Sequence, residues 1–230
     1  MCADANKNQS SATTTSPKLP REILAGIYAF APNRETLGGT AYFILSQAGN
    51  ILVDCPSWKE GQKSAFQEFF QQQGGVRWLF ITHRDGMSQV RKLQSDLDCE
   101  VIVQEQEAYL LPEVTVTSFT QEITFGKATG IWTCGYSPGS SCLYLPVHGG
   151  VLFSGRHLLV DPEGQLTPII SRKTFHWRRQ LRNIEKLKAR FSSETLSYIC
   201  PGANTGFLRG KGVVEEGYQK LIDSDSENTF

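Results

Sequence analysis

The 230-residue chain balances 23 Lys and Arg against 23 Asp and Glu, and 40% of it is hydrophobic. This content supports one large core or two small ones, and length alone favours neither. The zero formal charge excludes a global field that steers the protein toward nucleic acid or an anionic membrane, so an electrostatic partner must meet a local patch.

Residues 1–19 are rich in Ser, Thr, Asn and Lys and read as a disordered tail. A single domain is expected over 20–222, with a polar C-terminal tail at 223–230. The longest apolar runs fall far short of the ~20 residues of a membrane helix, so no membrane insertion is expected. Six cysteines, Cys2, Cys55, Cys99, Cys134, Cys142 and Cys200, form no Cys-x-x-Cys pair, and no apolar signal segment is present. A soluble, cytoplasmic protein with free thiols is the expectation.

Apolar residues alternate loosely over 23–30, and 33–39 is a polar turn ending in Gly38-Gly39. Short β-type runs at 41–45 and 51–53 flank Gln47-Ala48-Gly49-Asn50, a hairpin signal. Asp54-Cys55-Pro56 ends the strand, and a helix follows over 59–73 with Phe66, Phe69 and Phe70 on one face and Gly74 as its stop. A strand is predicted over 76–82. Met87, Val90, Leu93 and Leu97 then recur at helical spacing, and a strand over 101–103 closes a βαβαβ run. A short helix over 105–111 stops at Pro112. Strands are predicted over 114–119, 131–134, 142–145 and 151–154. The clearest helix spans 174–191, where Trp177, Leu181, Ile184, Leu187 and Phe191 are spaced 4, 3, 3 and 4, with Thr174 as its N-cap. A last strand covers 196–200, and Val214, Tyr218, Leu221 and Ile222 suggest a terminal helix. Two β-then-α halves of this kind fit an α/β (α+β) four-layer αββα sandwich.

Five motifs stand at predicted strand ends, in this order: Asp54 after the hairpin, Thr82-His83, Ser137-Pro138-Gly139-Ser140-Ser141, Leu152-Phe153-Ser154-Gly155-Arg156, and Cys200-Pro201-Gly202-Ala203-Asn204. Their order resembles the metallo-β-lactamase superfamily, and within it the glyoxalase II-like hydrolases, over residues 23–212. The resemblance implies a metallo-β-lactamase-type sandwich and a two-metal site built from His-x-His-x-Asp-His, a His after Pro-Gly, a bridging Asp after Gly and a final His. Against that pattern His83 keeps the first ligand and Asp85 stands in for the second, while Met87 and Ser88 fill the next two places. A variant His-Arg-Asp-Asp-x-x-Asp-His pattern suits 82–85 better, but Gln89 and Val90 then hold its last pair. Ser140 replaces the lone His, Arg156 the bridging Asp and Ala203 the final His, which makes the chain a degenerate member.

A divalent ion about 4 Å from a guanidinium is repelled by roughly 8 kcal/mol at an effective dielectric of about 20, and structural zinc with a full ligand set binds with about 10 to 16 kcal/mol. One His and one Asp supply only part of such a set. The expectation is a metal-free pocket in which Arg156 replaces the ion's charge and pairs with Asp85 or Asp54. His83 and Asp85 are the residual metal candidates, for a single zinc or iron ion, and also the catalytic candidates.

Three functions follow. The first is a non-hydrolytic pseudoenzyme that binds an anionic small molecule or protein partner through His83, Arg84, Asp85, Ser140, Arg156, His157 and Asn204. The second is a glyoxalase II-like thioester or ester hydrolase with a reduced or relocated metal site. The third is a structural or assembly factor that uses the basic helix from Arg172 to Arg190, where Arg172, Lys173, Arg178, Arg179, Arg182, Lys186, Lys188 and Arg190 face Glu185 alone. That stripe is also the one feature able to meet nucleic acid. His148 reads as a solvent-exposed turn residue and His176 as a possible pocket wall. Cys55 and Cys200 at strand ends leave open a thiolate ligand or nucleophile.

Overall fold

The structure, a computed structural model, describes residues 18–224. Of the tails expected at 1–19 and 223–230, residues 1–17 and 225–230 lie outside the described residues. The first half forms β1 (Arg21–Leu24), β2 (Ile27–Ala29), β3 (Tyr42–Ile44), β4 (Ile51–Val53), α1 (Glu60–Gln72), β5 (Trp78–Phe80), α2 (Val90–Leu97), β6 (Glu100–Gln104), α3 (Glu105–Ala108) and β7 (Val116–Phe119). These strands make one seven-stranded sheet in chain order. It is antiparallel from β1 to β4 and parallel from β4 to β7. Each parallel step needs a crossover, which α1, α2 and α3 supply.

The second half forms β8 (Glu122–Phe125), β9 (Ala128–Trp132), β10 (Ser141–Leu145), β11 (Val151–Gly155), β12 (Leu159–Val160), β13 (Leu166–Thr167), α4 (Trp177–Arg190), β14 (Tyr198–Pro201), β15 (Val214–Glu215) and α5 (Gly217–Asp223). The second sheet has the order β15-β14-β11-β10-β9-β8, and β12 pairs with β13 separately. Its one parallel pair, β11 with β14, is bridged by α4.

Side chains alternate across each strand, and this divides the apolar residues among three interfaces. Ile44, Ile51, Val53, Phe80 and Ile102 meet Leu143, Val151, Phe153 and Cys200 between the two sheets. Their neighbours Phe43, Leu52, Leu79 and Val101 point outward under Phe66, Phe70, Val90 and Leu93 of α1 and α2. On the far side Cys142, Leu152 and Ile199 pack under Ile184, Leu187 and Leu221 of α4 and α5. The layers are helix, sheet, sheet and helix, the expected αββα sandwich. Among the described residues no helix is long and apolar enough to cross a membrane.

Four expectations change. Thr174 is not the cap of α4: its Oγ1 accepts from Ser171 N at 2.9 Å, which closes a turn before the helix. His176 caps instead, its Nδ1 accepting from Arg179 N at 3.3 Å. The strand expected at 131–134 ends at Trp132, because it pairs with β8, which the sequence reading lacks. Val214 lies in β15 and not in the terminal helix. That helix runs through Asp223, and Ser224 is buried with its Oγ donating to Leu221 O at 2.6 Å, so the polar tail begins later than 223.

Candidate functional site at the strand ends

Because β4 and β5 are parallel neighbours, Asp54 and His83 leave the sheet side by side. Asp54 has φ 57°, a left-handed conformation that few residues other than Gly adopt. Its buried carboxylate accepts from Thr82 N at 2.8 Å and from Thr82 Oγ1 at 2.6 Å. Ser141 N donates to Thr82 O at 2.8 Å, joining β10 of the second sheet to this corner. Gly155 ends β11 with φ 53°, and a Cβ there would lie 2.6 Å from Thr82 Oγ1, so only Gly permits the approach. Gly202, past the end of β14, donates to Gly155 O at 2.7 Å. All five strand-end motifs therefore meet. The 33–39 turn lies across them, with Thr40 N donating to Gly202 O at 2.9 Å and Gly39 bridging Ala203.

His83 is buried, and its Nδ1 accepts from Gly86 N at 3.1 Å. The neutral ring therefore carries its proton on Nε2. Its centre lies 5.3 Å from that of Tyr136, edge to face. Burial first, and the nearby charge of Arg156 second, lower its pKa to about 3, so His83 is neutral near pH 7. Asp85 accepts from the Tyr136 hydroxyl and pairs with Lys173 Nζ at 3.1 Å. Burial pushes the Asp85 carboxyl up, but those two donors outweigh it and hold it below its ordinary value. Burial and the Asp85 carboxylate both push the Tyr136 phenol up. Asp54 rises to about 6 through burial, with the Thr82 hydrogen bonds and Arg156 pulling against that rise.

Arg156 pairs with neither Asp85 nor Asp54, contrary to expectation. Its Nη2 donates to Thr36 O at 3.0 Å and Leu37 O at 2.8 Å, and its guanidinium lies 5.7 Å from the centre of the Tyr136 ring. The reason is competition: Thr82 already fills Asp54, and Lys173 and Tyr136 fill Asp85. Two carbonyls of the overlying turn remain for the guanidinium, whose charge still acts on His83 and Asp54.

Ser140 is buried in its own turn, its Oγ accepting from Ser137 N at 2.7 Å and sharing a hydrogen bond with Ser137 Oγ at 2.8 Å. Arg84 is exposed, with Nε 3.4 Å from Glu107 Oε1. His157 is 1% exposed, and burial lowers its pKa to about 3. Its backbone carbonyl accepts from Gln180 Nε2 of α4 at 2.9 Å, while neither ring nitrogen has a hydrogen-bond partner among the described residues. Asn204 donates to Val160 O at 3.1 Å, beside the small sheet. The structure thus gathers His83, Asp85 and Arg156 around Tyr136, with Arg84 at the rim and Ser140 beneath, and leaves His157 and Asn204 outside. His148 lies far off on the surface against Ala25 O.

Three site residues escape sequence reasoning. Tyr136 lies in a loop without periodicity. Glu107 sits in the polar stretch Glu105-Gln106-Glu107 yet is fully buried, its Oε1 accepting from Gly139 N at 3.1 Å. Lys173 is visible only as part of the basic stripe. No local pattern marks any of the three, since each is defined by a partner distant in sequence.

The donor set does not fit the dinuclear metal group that the resemblance implies. Among the described residues no three His, Cys, Asp or Glu side chains converge as an ion requires. His83 Nδ1, the Asp54 oxygens and the Asp85 oxygens already have protein partners. Nor do the thiols offer an alternative: Cys55, Cys99, Cys142 and Cys200 are buried, and burial pushes Cys142 up to about 12 and Cys99 to about 11. Raised in this way they stay protonated near pH 7, which disfavours a free thiolate nucleophile, and among the described residues they join no cluster of three metal-ligating side chains.

No family model matches the chain, and no curated protein matches it. Solved structures do. VMB-1 aligns with TM-score 0.68 and 14% identity over 90% of this chain and 94% of its own. The DIM-1 metallo-β-lactamase aligns with TM-score 0.65 and 15% identity over 84% and 94%. A metallo-β-lactamase family protein from Thermus thermophilus aligns with TM-score 0.60 and 16% identity over 88% and 79%. Similarity at these identities speaks to the fold.

Proposed function

We propose that this chain, which has the metallo-β-lactamase fold, is a non-hydrolytic protein that binds an anionic small molecule or an acidic protein segment at the face where its strands end. One observation carries the reading: the positive charge beside His83 and Asp54 is the Arg156 guanidinium. Its position in the chain is that of the bridging carboxylate in the metal pattern, so this residue adds a cation where the pattern needs an anion.

The chemistry of the neighbours supports the same reading. Hydrolysis requires a group that activates water, within hydrogen-bond reach of it. Asp54 is sealed by Thr82 and by Gly86, where a Cβ would fall 2.4 Å from Asp54 Oδ1. His83 is 2% exposed and its Nδ1 is occupied. Exposed at the rim are Arg84 and Lys173, with side chains 40% and 55% accessible, around Asp85 at 15%. An anion docking here competes with Glu107 for Arg84 and with Asp85 for Lys173. His83 and Ser140, both at 2% exposure, shape the turns that present them.

The test is elemental analysis of the protein purified from zinc- and iron-supplemented cells, together with thioester and β-lactam hydrolysis before and after exhaustive chelation. The expected outcome is substoichiometric metal and no turnover. Near-stoichiometric zinc or iron with chelator-sensitive thioester hydrolysis would overturn the proposal in favour of a glyoxalase II-like enzyme.

A further inference from the structure

The α4 helix presents a second cationic surface, which adjoins the strand-end face where Phe175 N donates to Tyr136 O at 2.9 Å. Arg179, Arg182 and Lys186 recur at spacings of 3 and 4, and so share one helix face over about 10 Å at 1.5 Å per residue. They line a cavity of about 220 Å³ together with Trp132, Cys134 and Asn183. A second cavity of about 150 Å³ shares Trp132, Asn183 and Lys186 with the first, so the two form one groove between α4 and the end of β9. Two of its lining side chains are anchored. Trp132 Nε1 donates to Pro138 O at 2.8 Å, and Asn183 Nδ2 to Cys134 O at 2.7 Å.

The carboxylate that lines the groove, Glu122, is taken by Arg190, which leaves the charge of Arg179, Arg182 and Lys186 without a carboxylate partner among the described residues. Among the described residues the carboxylate pairs of this helix are Lys188 with Glu185 and Arg190 with Glu122, both at its C-terminal end. Arg178, Arg179, Arg182 and Lys186 are exposed, as is Arg172 just before the helix. In a chain with zero formal net charge, this concentration makes a local field that favours a polyanion. Beside it stand aromatic rings open to solvent: Phe175 is 51% exposed, and the exposed ring of His176 lies 6.3 Å from it.

We infer that the α4 face binds single-stranded nucleic acid, with Arg179, Arg182 and Lys186 tracking phosphates along the groove and Phe175 and His176 stacking on unpaired bases. Cations alone would serve any polyanion. Exposed aromatics just before them in the chain match a strand whose every base is free to stack, whereas the carboxylates of an acidic peptide have no such faces. A duplex hides its base faces within the stack, so the aromatic rings would gain nothing from it.

The experiment is fluorescence anisotropy of a labelled oligouridine of about 16 nucleotides titrated with the full chain between about 50 and about 200 mM salt, with a duplex of equal length and phosphatidylserine vesicles as competitors. Tighter binding of the single strand is expected, falling log-linearly with salt. The Arg182→Glu, Lys186→Glu double variant should flatten that slope by about 0.7 for each phosphate that is no longer neutralised. Phe175→Ala should weaken binding at least about fivefold with the slope unchanged. These three side chains are exposed, and circular dichroism checks that the variants fold. No binding at the lowest salt, a duplex bound as tightly as the single strand, preferential competition by the vesicles, or a Phe175→Ala variant that binds like the parent would each overturn the inference.

Discussion

Arg156 is the residue on which the strand-end site turns, since one side chain acts there in two ways. Its hydrogen bonds hold the 33–39 turn through Thr36 O and Leu37 O, and its charge disfavours protonation of His83 while favouring the Asp54 carboxylate. Arg156→Ala should therefore raise the His83 pKa, followed by NMR titration of its ring protons, and speed amide exchange at Gly38 and Gly39, whose N–H groups bond within the turn at 2.7 and 3.0 Å. Arg156→Lys should restore most of the electrostatic effect and only part of the exchange protection, because its shorter side chain must place one nitrogen where Nη2 now reaches both Thr36 O and Leu37 O. An unchanged His83 titration in Arg156→Ala would show that the charge acts from too far away to matter. The sequence announces Arg156 by its place after Gly155, but not its partners. Which acceptor a cation finds depends on what else has claimed Asp54 and Asp85, and those claims come from Thr82, Lys173 and Tyr136.

Among the elements, the strands and their glycine-bearing ends were the most readable. Runs such as Ile51-Leu52-Val53 and Trp78-Leu79-Phe80 are buried on both faces and hence continuously apolar, a pattern that survives without structural help. The β8 strand, Glu122-Ile123-Thr124-Phe125, alternates polar and apolar residues and was readable in principle, whereas the two-residue strands β12, β13 and β15 are too short for any period. Thr174 is the commoner capping residue type, but its hydroxyl serves a turn three residues before α4, which leaves the cap to His176. Close packing at the ends of β11 and β14 gives a sharp test. A Cβ on Gly202 would lie 2.7 Å from Gly155 O and 2.8 Å from its carbonyl carbon, backbone atoms that cannot swing aside. Gly202→Ala should destabilise the fold by about 1 to 3 kcal/mol in urea unfolding, whereas Gly206→Ala, with open space around it, should change it by less than about 1 kcal/mol. Equal effects from the two would mean that the strand ends are looser than their hydrogen bonds imply.

For the molecule as a whole, the buried ionisable groups set how stability follows pH. His83 and His157 fall from an ordinary 6.5 to about 3, so from pH 6.5 downward the unfolded chain binds protons that the folded chain refuses. Their contribution is present above 6.5 and is lost as pH falls toward 3. Asp54, raised from 3.8 to about 6, works the other way, its contribution being present below 3.8 and lost as pH rises through 6. Two histidines with larger shifts oppose one carboxyl, so the urea midpoint should fall between about pH 7 and about pH 5. His157→Gln should flatten that fall and Asp54→Asn should steepen it. A midpoint that holds or rises toward pH 5 would contradict the burial of both imidazoles. The fold was legible at this scale from the order of five strand-end motifs. The use of the site was not, because residues replaced in a motif say what has been lost and little about what replaced it.

The Arg156 clamp also bears on how such a protein comes to exist in a working state. An ion at a strand-end site has a dissociation constant, must be loaded, and can be exchanged or stripped. On the proposed reading, the guanidinium of Arg156, in the turn after β11, is synthesised with the chain and needs no loading step. For this molecule the charge at the heart of the site is inherited through a codon, and its supply is as certain as translation.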